Sequence, residues 1–65
     1  MKRVLTVDAD QLRPGDVVLC AGQELYRVAS VRRDRYRLDV LTEDGYLVKL
    51  HDTDELQVLR VVVAA

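Results

Sequence analysis

The sequence predicts an all-β protein: a small antiparallel barrel of five or six short strands, forming one domain over residues 1–65. Three observations predict it. Turn signals recur about every ten residues, at Pro14-Gly15, Gly22, Arg32-Arg33-Asp34-Arg35, Glu43-Asp44-Gly45 and Asp52 to Glu55. The segments between them alternate apolar and polar residues. The apolar stock is valine and leucine, with three tyrosines and no phenylalanine or tryptophan, which suits strands better than helices.

The elements follow in order. Lys2 to Val7 reads as a first strand. Asp8-Ala9-Asp10-Gln11-Leu12 has the make-up of a single helical turn capped by Asp8. Pro14-Gly15 then fits the centre of a type II turn, with proline fixing the first φ and glycine taking the positive second. Asp16 to Ala21 is the second strand and Gly22-Gln23 a tight turn. Glu24 to Arg33 is the longest strand. Tyr26 and Val28 share a face that Val31 leaves, so a bulge near Ala29-Ser30 is expected to restore the pattern and bend the strand.

Arg32-Arg33-Asp34-Arg35 makes the next reversal; without glycine, a two-residue mirror-type turn is not expected there. Tyr36 to Thr42 is the cleanest strand, with Tyr36, Leu38 and Val40 on one face. Glu43-Asp44-Gly45 predicts a three-residue hairpin loop with glycine in the left-handed region. Tyr46, Val48 and Leu50 alternate with Lys49 and His51. Asp52 to Leu56 predicts one turn of 3₁₀ helix, capped by Asp52, before a last strand from Gln57 to Val63. That strand is apolar on both sides of Arg60. It is therefore either covered on both faces or an exposed edge, and pairing with Lys2 to Val7, in the same chain or a second copy, would protect it.

A chain this short buries only about 60% of its unfolded surface, so a partner chain or an efficiently closed barrel is expected to assist it. One cysteine excludes an internal disulfide, and the ligands of a structural zinc are absent. The net charge of −1 gives no global bias toward nucleic acid or membrane. Locally, residues 26–38 are arginine-rich and residues 43–55 acidic, which predicts a basic and an acidic end. No apolar run approaches the ~20 residues of a membrane helix, and the expected setting is a reducing cytoplasm.

Leu12-Arg13-Pro14-Gly15-Asp16-Val17-Val18, then Gly22 and Tyr26-Arg27-Val28, resemble the SH3-like barrels of translation proteins, such as the N-terminal domain of elongation factor P. The likeness covers roughly Leu12 to Val58 and implies an SH3-like barrel. The chain also resembles small proteins of actinobacteria and their phages. One departure matters. Elongation factor P carries a modifiable lysine and glycines at its hairpin tip, whereas this tip is Arg32-Arg33-Asp34-Arg35. A role in peptidyl transfer therefore does not carry over, and fold analogy does not decide function.

The arginine-rich tip is the sharpest chemical feature. Hairpin geometry gathers Arg32, Arg33, Arg35 and Arg37 around Tyr36. Guanidinium groups fork onto phosphates and an aromatic face stacks a base. The plainer alternative is a solvated tip whose arginines pair with Asp34, Asp39 or the acidic segment. Asp52, Asp54 and Glu55 lack the ligand count and glycine of a calcium loop and read as caps. His51 reads as a surface histidine, and Cys20 as a small buried hydrophobe. No cofactor or metal site is predicted, and no catalytic set emerges.

The function expected from the sequence is a non-enzymatic binding module. It would engage a protein partner or itself, as in a phage or structural accessory protein, with Leu59, Val61, Val62 and Val63 as the self-association edge. The alternative is nucleic-acid binding through Arg32, Arg33, Arg35, Tyr36 and Arg37.

Overall fold

The computed structural model describes residues 1–62. Six strands form one antiparallel sheet: β1 (Lys2–Asp8), β2 (Val17–Cys20), β3 (Gln23–Asp34), β4 (Arg37–Thr42), β5 (Leu47–His51) and β6 (Glu55–Val61). A short 3₁₀ helix, Ala9–Gln11, follows β1. The strand order is β1-β6-β2-β3-β4-β5. The hydrogen-bonded sheet does not close, and β1 and β5 are its edges.

β3 gives the sheet its shape. Its first half pairs with β2 and its second half with β4. Between them the register slips, so that Val28 faces Thr42 while Ser30 faces Leu41, and Ala29 is the extra residue. This is the bulge expected from the displaced Val31. Val28 is fully buried there, and its N–H and C=O bond to Asp16 O and Gly15 N, each at 2.8 Å. Bent in this way, the sheet folds its inner face inward. Val7, Leu12, Val18, Val28, Val40 and Val58 form one core, with Leu5, Tyr26, Val31, Val48, Leu50 and Leu56 packed against it. Every strand contributes to that core. Burial pushes the Tyr26 phenol above its ordinary pKa.

The turns explain the strand limits. The Arg13-Pro14-Gly15-Asp16 turn closes through Asp16 N–H to Arg13 O at 3.1 Å, with Gly15 at φ +93°. The Glu43-Asp44-Gly45 loop closes as expected. Gly45 N–H donates to Thr42 O at 3.0 Å, Gly45 has φ +90°, and Thr42 N–H donates to Tyr46 O at 2.8 Å. The β2–β3 turn is Ala21-Gly22, one residue earlier than the sequence reading placed it, with both residues at positive φ.

Three expectations need correction. The β3–β4 hairpin does use a two-residue loop, Arg35-Tyr36, with Arg35 at φ +56°. The long ladder on either side holds the arginine where glycine would ordinarily sit. No 3₁₀ turn precedes the last strand. Residues 51–54 form a plain turn, with Asp54 N–H bonded to His51 O at 3.0 Å and Asp54 Oδ2 accepting from His51 N–H at 2.8 Å. Asp54, rather than Asp52, does the capping. Ala9 N–H bonds to Asp54 O, and Asp8 pairs with Glu55, so the ladder with β1 draws these residues into extended structure. Finally, β6 is not an edge. β1 pairs with it inside the same chain from Lys2↔Val61 to Asp8↔Glu55, and β2 flanks it from Gln57 to Leu59.

A buried ion pair ties the sheet to the first turn. Asp16 is 2% exposed. Arg60 grips it through Nη2 to Oδ2 at 2.7 Å and Nε to Oδ1 at 2.9 Å, and Arg13 N–H donates to Oδ2 at 3.0 Å. Arg60 Nη2 also reaches Gln11 O at 3.0 Å, which anchors the 3₁₀ segment. Burial alone would push the Asp16 carboxyl up. The Arg60 hydrogen bond, the Arg13 N–H and the two guanidinium charges together hold it below its ordinary value.

Candidate functional site

The β3–β4 hairpin tip and the end of β5 enclose a shallow groove of about 750 Å³. Strand register builds it. Asp34 pairs with Arg37, and Arg37 pairs with His51, so the three side chains share a row on the outer face. The next row is Arg32, Asp39 and Lys49. Arg35, Tyr36, Arg37, Lys49 and His51 line the groove, with Asp34 as its one acid. A hydrogen bond from Asp52 N–H to Tyr36 O at 2.8 Å fastens the loop to the turn after β5.

The Tyr36 and His51 rings lie nearly parallel, 6° apart, with centroids separated by 6.3 Å. Tyr36 is 71% exposed and so offers an open aromatic surface. It sits in the loop one residue before β4, which is why it does not share the buried face of Leu38 and Val40 as the sequence reading had it. Tyr46 is exposed for the same reason, one residue before β5. The His51 ring is held by Thr53: Nδ1 accepts from Thr53 N–H at 3.3 Å and lies 2.8 Å from Thr53 Oγ1. Asp52 Oδ1 lies 3.0 Å from the same Nδ1 and has no hydrogen-bond partner.

Of the five residues named from sequence, Arg35, Tyr36 and Arg37 line the groove. Arg33 does not. It stands opposite Leu38 in the ladder but stays exposed, reaches Asp52 at 3.4 Å and Asp10 at 3.9 Å, and donates from Nε to Arg35 O at 3.3 Å. It braces the tip. Arg32 stands opposite Asp39 and is also outside the groove. Lys49 and His51 were missed. Their signal was present in the Glu43-Asp44-Gly45 loop: counting back from Thr42 and forward from Tyr46 sets Arg37 beside His51 and Asp39 beside Lys49. The charge segments do not form two separate ends, because β3, β4 and β5 are neighbours. Arg27 lies 3.7 Å from Glu43, and Arg33 meets Asp52.

The groove's arginines and lysine are donor-only cations, and the Tyr36 phenol is the one hydroxyl among the lining side chains. Cys20 is exposed at the end of β2, contrary to the buried position expected, and β3 and β4 separate its strand from His51. Among the described residues no His, Cys, Asp or Glu cluster is arranged to hold a metal ion, and no helix is long and apolar enough to cross a membrane.

The other named set lies on β6. Leu59 is partly buried and flanked by Val4 of β1 and Val17 of β2 on the outer face. Val61 is 62% exposed, Val62 is partly buried with its N–H on Met1 O at 2.7 Å, and Val63 lies outside the described residues. A comparison of the chain with protein families, curated proteins and solved structures finds no match.

Proposed function

We propose that this protein is a non-enzymatic binding module whose groove takes a short stretch of single-stranded nucleic acid. One observation carries the reading. Arg35, Arg37 and Lys49 surround the exposed face of Tyr36 in the same groove, with only Asp34 opposing them. Cations beside an aromatic platform match a strand that alternates phosphates with flat bases. The register that brings in Lys49 and His51 favours this reading over the protein-partner reading of the tip. In it, Tyr36 stacks a base, Arg35, Arg37 and Lys49 contact phosphates, and the His51 ring extends the aromatic surface beside Tyr36.

The scaffold is read as a half-open SH3-like barrel, related in layout to the N-terminal domain of elongation factor P but without its peptidyl-transfer lysine. Support comes from the bulge at Ala29, the in-folded core and the Pro14-Gly15 turn. A reducing cytoplasm suits the exposed, unpaired thiol of Cys20. An accessory role in an actinobacterium or its phage is the setting that goes with the arginine- and valine-rich composition.

The test is fluorescence anisotropy with a labelled mixed-sequence oligonucleotide at low salt. Three phosphate contacts on a single strand give a slope of log K against log salt of about −2. Arg35→Glu with Arg37→Glu is expected to abolish binding while leaving the thermal melt in place. Tyr36→Ala is expected to cost about 1–3 kcal/mol if one base stacks there. Binding that survives the double reversal would remove the groove as the site.

A further inference from the structure

The two edges of the sheet differ in how they are guarded. β5 carries Lys49 at its centre, and a charge in the middle of an edge strand discourages further pairing. β1 runs Val4-Leu5-Thr6-Val7 through its centre with no charge, proline or bulge. Its register with β6 is unbroken from Lys2 to Asp8. Among the described residues no strand pairs with its other side, so it presents a row of backbone donors and acceptors up to Asp8, whose N–H is held by Gln11 Oε1 at 3.1 Å. Val4 adds apolar surface there, being 59% exposed. The charges sit at the strand's ends, Lys2 and Arg3 at the start and Asp8 at the finish.

We propose that β1 pairs antiparallel with β1 of a second copy of this chain, making a two-fold dimer with one continuous sheet. A two-fold axis at Leu5 sets Lys2 of each copy opposite Asp8 of the other, Arg3 opposite Val7, and Val4 opposite Thr6. A two-fold contact uses the same patch twice and must complement itself. β1 does so because its ends carry opposite charges and antiparallel pairing brings them together. That match favours a second copy over an unrelated strand. The groove at the hairpin tip plays no part in the contact, so the dimer stands or falls separately from nucleic-acid binding.

Light scattering of the full chain over a dilution series tests the pairing, with circular dichroism to confirm that each variant is folded. The unaltered chain is expected at twice its 7.4 kDa mass. Lys2→Asp places like charges opposite each other twice, and is expected to raise the dimer Kd about tenfold. Lys2→Asp combined with Asp8→Lys restores opposite charges and the dimer. Thr6→Lys, exposed and clear of the 3₁₀ cap, puts a charge in the middle of the edge and is expected to give a monomer. A monomer at every concentration, a larger assembly, or a dimer whose Kd ignores these variants overturns the proposal.

Discussion

Three residues carry most of the local argument. Gly15 and Ala21 both adopt positive φ, at +93° and +51°. Only glycine takes such a conformation freely, and the left-handed region costs an ordinary residue roughly 1–2 kcal/mol. A Cβ added at Gly15 meets nothing within 4 Å, so Gly15→Val tests chiefly backbone strain. It is expected to lower stability by roughly 1–2 kcal/mol in urea unfolding; an unchanged midpoint would remove the turn's demand for positive φ. Ala21→Gly runs the other way and is expected to stabilise by up to about 1 kcal/mol. Asp16 is the third. Its depressed carboxyl binds protons less readily folded than unfolded. Its contribution is therefore present above the unfolded pKa, about 3.9, and is lost as pH falls through the lower folded value. Asp16→Asn is expected to cost roughly 3 kcal/mol at pH 7 and to flatten the acid limb of a stability–pH curve. An acid limb as steep as before would show that other carboxylates dominate it. Gly15 was legible from its neighbour Pro14. The Asp16–Arg60 pair was not, because it joins residues 44 positions apart and only the β2–β6 pairing brings them together.

At the scale of elements, local chemistry was readable and long-range context was not. The Ala29 bulge followed from Val31 falling off the face of Tyr26 and Val28. The Glu43-Asp44-Gly45 loop followed from its glycine. The Arg35-Tyr36 loop was missed because it lacks the glycine that marks such turns, and the ladder around it imposes the conformation. The turn at Asp52 was read as helical because its acids suit a cap. Pairing of Asp8 with Glu55 claims the following residues for β6 instead. Groove membership has the same origin: the tip residues are contiguous in sequence, but Lys49 and His51 arrive through β4–β5 register. Arg35 links this scale to the proposed function, since it holds φ +56° in the loop proposed to bind. Arg35→Gly is expected to raise stability by up to about 1 kcal/mol and to weaken oligonucleotide binding at the same time. A variant that is stabilised and binds equally well would show that Arg35 has no part in recognition.

The whole molecule holds one core fed by all six strands, and that core is mostly valine. Val58 sits at its centre, fully buried on a strand flanked by β1 and β2. Val58→Ala is expected to cost about 2 kcal/mol, since the sheet on either side limits collapse of the site. In a domain of this size that is a fall in Tm of about 8–16 °C. A loss well below this would mean that the core relaxes around the deletion. The same rigid sheet holds the hairpin tip against the end of β5, so the groove depends on strand register rather than on a mobile loop. The all-β class, six strands and single core were readable because alternation and turn chemistry agree along most of the chain. Strand order was not, since nothing local tells β6 that its neighbours are β1 and β2.

The cationic, aromatic groove is proposed to hold a nucleic-acid strand. Amide and side-chain chemical shifts recorded during titration with a short single-stranded oligonucleotide test it most directly. Saturable shifts confined to Arg35, Tyr36, Arg37, Lys49 and His51 are expected, weakening steeply as salt is raised. Shifts centred on β1 or β6, or no saturable shifts at low salt, would contradict it.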